Sequence, residues 1–401
     1  METLTQSDHR VTIKLIVISI CNGIGIPLVA LMMAANILKN NGITMEIHYT
    51  LTVEKDSAAK RLADQILEQH QYPGQVQHLD NLEQLPQWIS DHMQPQEDPE
   101  HLLNKCTLLV LSGTPCKSIS HGARLNLNRK SFGLHANPSN TWFLAHQSIA
   151  QLTTCFPQHR LLVFIENVVP SNQQDTQELD NTAGFRSEMH TTSTDGIKRR
   201  RYIWTSIKIP QQHPLEIKIE PIIHSETWTF QSNTPMPTLR AIFPTLFWKV
   251  AEEQPVPYQD IKTVSDCYML RGKSEEPRLP DIPLWCDMMG MDNTTLQALS
   301  KSSPCQTPIT LFPKDPNPCR QEQCGQHVYC YNCSEILSHL GEAWNLKSSI
   351  ERLTRTLKAF ADIHADQDQE SVPKTFSQIS FKYNTPVHIC SNACPKARNK
   401  P

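Results

Sequence analysis

Through its first 170 positions the chain alternates short, β-branched apolar runs with longer segments of helical pattern. The runs are IKLIVISI at 13–20, MEIHYTLTV at 45–53, QVQHL at 75–79, CTLLVLS at 106–112 and LLVFIENV at 161–168. Between them stand LVALMMAANILKN after Pro27, the amphipathic KDSAAKRLADQILEQH at 55–70 and SNTWFLAHQSIAQLTTC at 139–155. Near-continuous apolar strands belong to a parallel sheet buried on both faces, and helices that alternate with such strands supply the cover. The expectation is therefore an α/β fold, a Rossmann-like sheet with helices on both faces. In such folds ligands bind beyond the carboxyl ends of the strands. Glu54, Asp80, Cys116 and Glu166 stand at or near those ends, so one rim of the sheet should gather them.

The segment VTIKLIVISICNGIGIPLVALMMAANIL, 11–38, is apolar enough to be mistaken for a membrane span, but Lys14 and Asn22 lie within it and Gly23, Gly25 and Pro27 break its middle. A strand, a turn and a helix fit it better, with Pro27 at the first position of the helix. A soluble, intracellular protein with no membrane contact is expected. The 13 cysteines, without a cleavable signal peptide, fit reduced thiols, metal ligands or catalysis better than a disulfide framework. A net charge of -3 gives no global attraction to a polyanion, so a nucleic-acid contact would have to come from a local cluster such as KRRRY at 198–202.

The alternation continues to Trp204. Residues 11–204 are expected to form the main domain, followed by a small irregular lobe of short strands and loops at 205–260. Residues 261–365 return to the main domain through a Cys-rich insertion at about 301–333 and a helical pattern at 341–365, and a polar tail fills 366–401.

Four short segments carry chemistry. The turn GIGIP at 23–27 brings backbone close to a ligand and aims a helix N-terminus at it, although a tight turn without a ligand has the same composition. Glu54, 31 positions after Gly23, can accept both hydroxyls of a ribose, or can be a solvated carboxylate at a helix start. In GTPC the Cys116 thiol follows a proline at a strand tip, with Lys117, Arg124, Arg129 and Lys130 downstream to favour thiolate; an inert small residue in a turn is the alternative. In ENV a partly desolvated Glu166 could deliver a proton, or be a helix-capping or salt-bridged carboxylate. Arg199 and Arg201 in RRRYIW alternate along a strand, so both would point one way, unless KRRR is an import signal or a plain surface cluster.

In this order (glycine turn, acidic strand end, Asp80, Pro-Cys, Glu-Asn-Val, Arg-x-Arg, and the G-x-x-W of 341–344), the chain resembles the C5-cytosine DNA methyltransferases, closest to the animal de novo class and its relatives. FGLHANPSNTWFLAH at 132–146 and LPDIPLWCDMMG at 279–290 also resemble family segments. The resemblance implies a class I methyltransferase sheet with a target-recognition lobe, S-adenosylmethionine as cofactor, double-stranded DNA as partner, and a nuclear location in a eukaryote. It leaves room for a homo-oligomer or a regulatory protein partner. It implies catalytic roles for Cys116, Glu166, Arg199 and Arg201, and a cofactor site of Gly23, Gly25, Glu54, Asp80 and Trp344, with Asp80 near the adenine.

The chain departs from the family at Cys21-Asn22-Gly23, where Phe-Asp-Gly is usual, which loses an aromatic contact and a carboxylate. A catalytically silent relative, an RNA methyltransferase and a cysteine hydrolase using His121 are the alternatives. Cys319, Cys324, Cys330 and Cys333 form C-x4-C-x5-C-x2-C, with His327 inside and Cys390 and Cys394 beyond. Four thiolates suit tetrahedral zinc; unligated thiols on a divergent loop are the other reading.

Overall fold

A computed structural model describes residues 11–93, 106–116, 118–120, 133–155, 160–170, 172–184, 187–194 and 197–209. Beyond these it describes 228–230, 236–237, 246–248, 255–257, 270–272, 277–278, 286–287, 289–302, 336, 339–340 and 343–367. The cysteines at 319, 324, 330, 333, 390 and 394 lie outside the described residues, as do Lys117, His121, Arg124, Arg129 and Lys130.

The main sheet is built from β1 (Val11–Ile20), β2 (Ile43–Val53), β3 (Gln75–Leu79), β4 (Thr107–Ser112), β5 (Leu161–Val168), β6 (Glu188–Thr194) and β7 (Ile197–Thr205). Their order is β3-β2-β1-β4-β5-β7-β6, and a short β9 (Met236–Pro237) pairs with β7. The pairs joining β1 through β5 and β2 to β3 are all parallel, as the strand composition implies. At the far edge β7 runs antiparallel to both β5 and β6, so the sheet is mixed. The physical reason is local: the connection between β6 and β7 spans only 195–196, too short for a crossover, so these strands close as a hairpin.

Alternation within each strand explains the burial on both faces. Leu15 and Val17 of β1, Leu109 and Leu111 of β4, and Leu162 and Phe164 of β5 face one core, which is covered by α1 (Ile26–Lys39), α2 (Ser57–Gln69), α6 (Asn293–Ser302) and α7 (Leu346–Gln367). Their neighbours Ile16 and Ile18, Leu108 and Val110, and Val163 and Ile165 face the other, covered by α3 (Leu85–His92), α4 (Thr141–Cys155) and α5 (Gln173–Ala183). Helices α1 and α2, which follow β1 and β2, lie on the first face, and α3 to α5, which follow β3 to β5, lie on the second. The strand order reverses between β1 and β4, which is where an open α/β sheet leaves a crevice for a ligand.

Local chemistry fixes the ends of the elements. Asp56 caps α2 by accepting from the Ala58 and Ala59 amides at 2.9 and 3.1 Å. Gly25, at φ 83, precedes α1, and a Cβ there would stand 3.3 Å from the Ala63 Cβ, so the glycine permits close packing of the turn on α2. Beyond the main sheet the described strands form a pair, β10 (Leu246–Trp248) with β11 (Pro255–Pro257), and a three-stranded set of β8 (Trp228–Phe230), β12 (Leu270–Gly272) and β13 (Pro277–Arg278), which joins a strand of the 205–260 segment to two strands beyond it. Among the described residues no helix is long and apolar enough to cross a membrane.

Candidate functional site

Because β1 to β5 run parallel, their carboxyl ends share one rim. On its first half, Glu54 follows β2 directly and its Oε2 accepts the Gly23 N–H at 2.9 Å, while Oε1 accepts the Asp56 N–H at 3.0 Å. The Gly25 N–H donates to the Asn22 carbonyl at 3.1 Å. Both glycine amides are thus taken, that of Gly25 within the turn and that of Gly23 by a carboxylate at the end of β2, and Ile26, Pro27, Leu28 and Val29 at the start of α1 are buried. What remains for a ligand is the space above Gly23, where an added Cβ would meet nothing within 4 Å, and the second lone pair of each Glu54 oxygen.

The unusual pair before Gly23 turns inward. Asn22 is buried and its Oδ1 accepts from the Ser19 hydroxyl at 2.8 Å, so this position serves the turn. Cys21 sits at φ 55, and burial, with the Glu54 carboxylate beside it, pushes its thiol up to about 12, well away from thiolate at neutral pH. Asp80 follows β3 at the outer end of the rim, exposed and ion-paired with Lys60 of α2, which holds its carboxyl below the usual range through a hydrogen bond and charge. The structure does not bring Asp80 into contact with Gly23 or Glu54 among the described hydrogen bonds.

The second half of the rim joins motifs that are remote in sequence. The Asn167 amide donates to Thr114 Oγ1 at 3.0 Å and to the Thr114 carbonyl at 3.3 Å, which ties the GTPC turn to the end of β5. Cys116, half-buried and outside any disulfide, begins a tight turn in which its carbonyl accepts from the Ile119 and Ser120 amides at 3.1 and 3.0 Å. Ser118 anchors that turn to 133–139 through Ala136 and Ser139. The Trp344 ring is buried against Phe164, with centroids 5.6 Å apart, and a Cβ on Gly113 would stand 2.5 Å from its indole nitrogen. Trp344 therefore braces the ends of β4 and β5 from beneath.

Glu166 lies within β5, opposite Ile203 of β7, and the next residue on the same face of β7 is Arg201. Arg201 Nε stands 2.5 Å from Glu166 Oε1, with both side chains largely enclosed (12% and 17% exposed). Arg199 belongs to the same strand; its side chain lies outside the described residues.

A cleft opens beside this pair, lined by Phe164, Glu166, His190, Arg201, Ser348 and Asn345 among others. Asn345 caps α7 by accepting from the Ser348 amide at 2.9 Å, while its own buried Nδ2 has no partner among the described residues. His190, directly opposite Arg201 in the β6–β7 register, accepts at Nδ1 from Arg352 of α7 (2.7 and 3.2 Å) and meets the Ser348 hydroxyl through Nε2 at 2.7 Å. Burial, then the Arg352 and Arg355 charges, lowers His190 to about 4, so the ring is neutral. Sequence reasoning missed His190, Asn345, Ser348 and Arg352. NLKSS after Trp344 carries a readable N-cap signal for Asn345, but nothing in the sequence links position 190 to 352.

The fold and the site define an α/β protein with a mixed sheet, whose carboxyl rim holds a glycine–carboxylate turn on one side and, on the other, the Thr114–Asn167 link of the GTPC turn and an ion-paired cleft at Glu166 and Arg201. No family model matches the chain, and no curated protein matches it. Among solved structures it is similar to the precorrin 8W decarboxylase of Methanobacterium thermoautotrophicum at 10% identity, over 49% of this chain and 83% of that one, with a TM-score of 0.27. A likeness at that level carries no functional argument, so the functional reading rests on the motifs and their geometry. Among the described residues no cluster of three or more His, Cys, Asp or Glu side chains is arranged to hold a metal.

Proposed function

We propose that this protein is a DNA (cytosine-5-)-methyltransferase that uses S-adenosylmethionine, and we read the order β3-β2-β1-β4-β5-β7-β6, with β7 reversed, as a class I methyltransferase sheet. The observation that carries the proposal is the meeting of Pro-Cys, Glu-Asn-Val and Arg-x-Arg at one end of the sheet: Thr114 bonded to Asn167, and Glu166 paired with Arg201.

The chain's residues fit the methyl donor. Each Glu54 oxygen retains a lone pair for a ribose hydroxyl, the space over Gly23 is open, and the unpartnered Asn345 Nδ2 offers a buried donor on the other side of the rim. When bound, the cofactor supplies an electrophilic methyl group. The chain supplies the rest. Cytosine C5 is a poor nucleophile until something adds to C6, so the Cys116 thiolate attacks C6 while Glu166, held by Arg201, stabilises protonation at N3. With sulfur on C6, C5 would be nucleophilic enough to take that methyl group, the demethylated donor leaving as a neutral thioether; a base, solvent hydroxide or water, would then take the C5 proton as the C5–C6 double bond re-forms and the Cys116 thiolate is expelled. A duplex hides these atoms in its stack, so the base must be flipped out, at a cost of a few kcal/mol.

A silent DNA-binding relative is the second reading, favoured by one observation: the amides of Gly23 and Gly25 already have acceptors, Glu54 and the Asn22 carbonyl. Radiolabelled methyl transfer to cytosine duplexes and to RNA separates the readings. Label on DNA that disappears with Cys116→Ser supports the enzyme; duplex binding without label supports the silent relative; label on RNA alone redirects the substrate.

A further inference from the structure

The cleft beside Glu166 holds two guanidinium groups, Arg201 on β7 and Arg352 on α7, and a neutral imidazole. A guanidinium can only donate, so both contacts from Arg352 to His190 fix Nδ1 as the acceptor. The ring proton must then reside on Nε2, where it donates to Ser348 Oγ. One ring thus joins β6 to the first two turns of α7 across 158 to 162 positions of sequence. Arg352 has a second, longer contact, 3.5 Å to Glu188. Arg201 is left with Glu166 as its carboxylate. Two largely enclosed cations therefore have separate acceptors, and His190, opposite Arg201 and bonded to Arg352, stands at both.

We propose that His190 is a positioning residue: by taking Arg352 at Nδ1 and holding Ser348 at Nε2, it keeps the second guanidinium off Glu166 and reserves that carboxylate for Arg201. The inference rests on reading Glu166 and Arg201 as the pair that grips the base. The charged groups around the ring are Glu188 on β6, Arg201 on β7, Glu166 on β5, and Arg352 and Arg355 on α7. Four of these neighbours come from elements that meet only in the folded chain, so the arrangement is a property of the tertiary fold.

The test uses the full chain with labelled histidine and arginine, followed by nuclear magnetic resonance, beside methyl-transfer kinetics. In the wild-type protein His190 should show a protonated Nε2 and a bare Nδ1 throughout pH 5 to 8; an Nδ1–H tautomer, or a titration near the ordinary histidine value, overturns the proposal without any substitution. The Arg201 Nε–H, slowed in exchange by Glu166, should exchange faster in His190→Ala and recover in His190→Asn, whose amide oxygen can still accept from Arg352. An unchanged Arg201 signal in a folded His190→Ala overturns it. In kinetics, His190→Ala should lower kcat by about 10- to 100-fold, as expected for a misplaced catalytic group, with KM for DNA changed far less. A loss confined to KM also overturns it. If the wild-type protein transfers no methyl group, the enzymatic reading fails, while the tautomer and the Arg201 exchange still decide the role of His190.

Discussion

The two halves of the carboxyl rim are held in opposite ways. On the β1–β3 side the partners lie within about 30 positions, in the same turn, the adjacent strand end or the intervening helix: Glu54 with Gly23 and Asp56, Asn22 with Ser19, Gly25 with Asn22, and Asp80 with Lys60. On the β4–β7 side the contacts cross long sequence separations, 53 positions from Thr114 to Asn167 and 162 from His190 to Arg352. The first half is a local turn that a ligand would have to share. The second exists only when the whole sheet and α7 are assembled, and it stores charge in a largely enclosed setting. A site of the second kind is organised in advance of its ligand, as transition-state stabilisation requires.

The largest expected effect tests the second half. Cys116→Ser should abolish methyl transfer while leaving duplex binding and the melting curve in place, as measured by label incorporation, gel shift and calorimetry. Arg201→Leu comes next. It leaves the Glu166 carboxylate enclosed without its cation and should cost about 3 kcal/mol in urea unfolding, as breaking a buried pair does. A loss below about 0.5 kcal/mol, the level of an exposed pair, would erase the contrast between the two halves.

Acid should then weaken the assembly. His190 is lowered to about 4, and His146, fully buried beside the Trp142 ring, is lowered by burial to about 3, both from 6.5. A depressed folded value means that the unfolded chain binds the proton first. The stability is fully present above about pH 6.5 and is lost as the pH falls toward 4 and then 3. Urea midpoints between pH 7 and pH 4 should fall, and His146→Phe should flatten part of that slope.

The first half should respond more mildly. Gly23→Ala meets no neighbour, but at φ 56 it forces a left-handed conformation on a side chain, which costs about 1 kcal/mol; methyl-donor affinity, measured by calorimetry, should fall by more than that strain predicts if the cofactor lies over the turn. Asp80→Asn should be the smallest change. Its carboxylate is exposed, so the melting temperature should stay constant, and any effect on cofactor affinity should vanish in high salt.

The same contrast explains what was legible in the sequence. The parallel strands and most crossover helices are periodic and local, so VTIKLIVISI, TLLVLS and LLVFIENV disclose both their conformation and their burial. A strand–turn–helix rule places Gly23 and Glu54 at strand ends of one rim, but the bond from the Gly23 amide to Glu54 emerges only in the fold. The reversal of β7 needed the length of the 195–196 connection, and β6 itself, EMHTTST, is polar enough to hide as a loop. Helix α5 has a readable Asn172 cap but few apolar positions, which masked it. Trp344 packs against Gly113 and Phe164, and only the fold reveals that a glycine at 113 makes room for an indole. His190 gave no signal, since its partners lie at the far end of the chain.

The central claim is that the Cys116 sulfur reaches C6 of an extruded cytosine held by Glu166, and trapping tests it directly. A duplex bearing 5-fluorocytosine, offered together with S-adenosylmethionine, should give a covalent protein–DNA adduct stable to denaturing electrophoresis, because fluorine at C5 blocks the release step. The adduct should map to Cys116 by mass spectrometry and be absent from Cys116→Ser. Folded protein that binds both the duplex and the methyl donor yet forms no adduct would contradict the account.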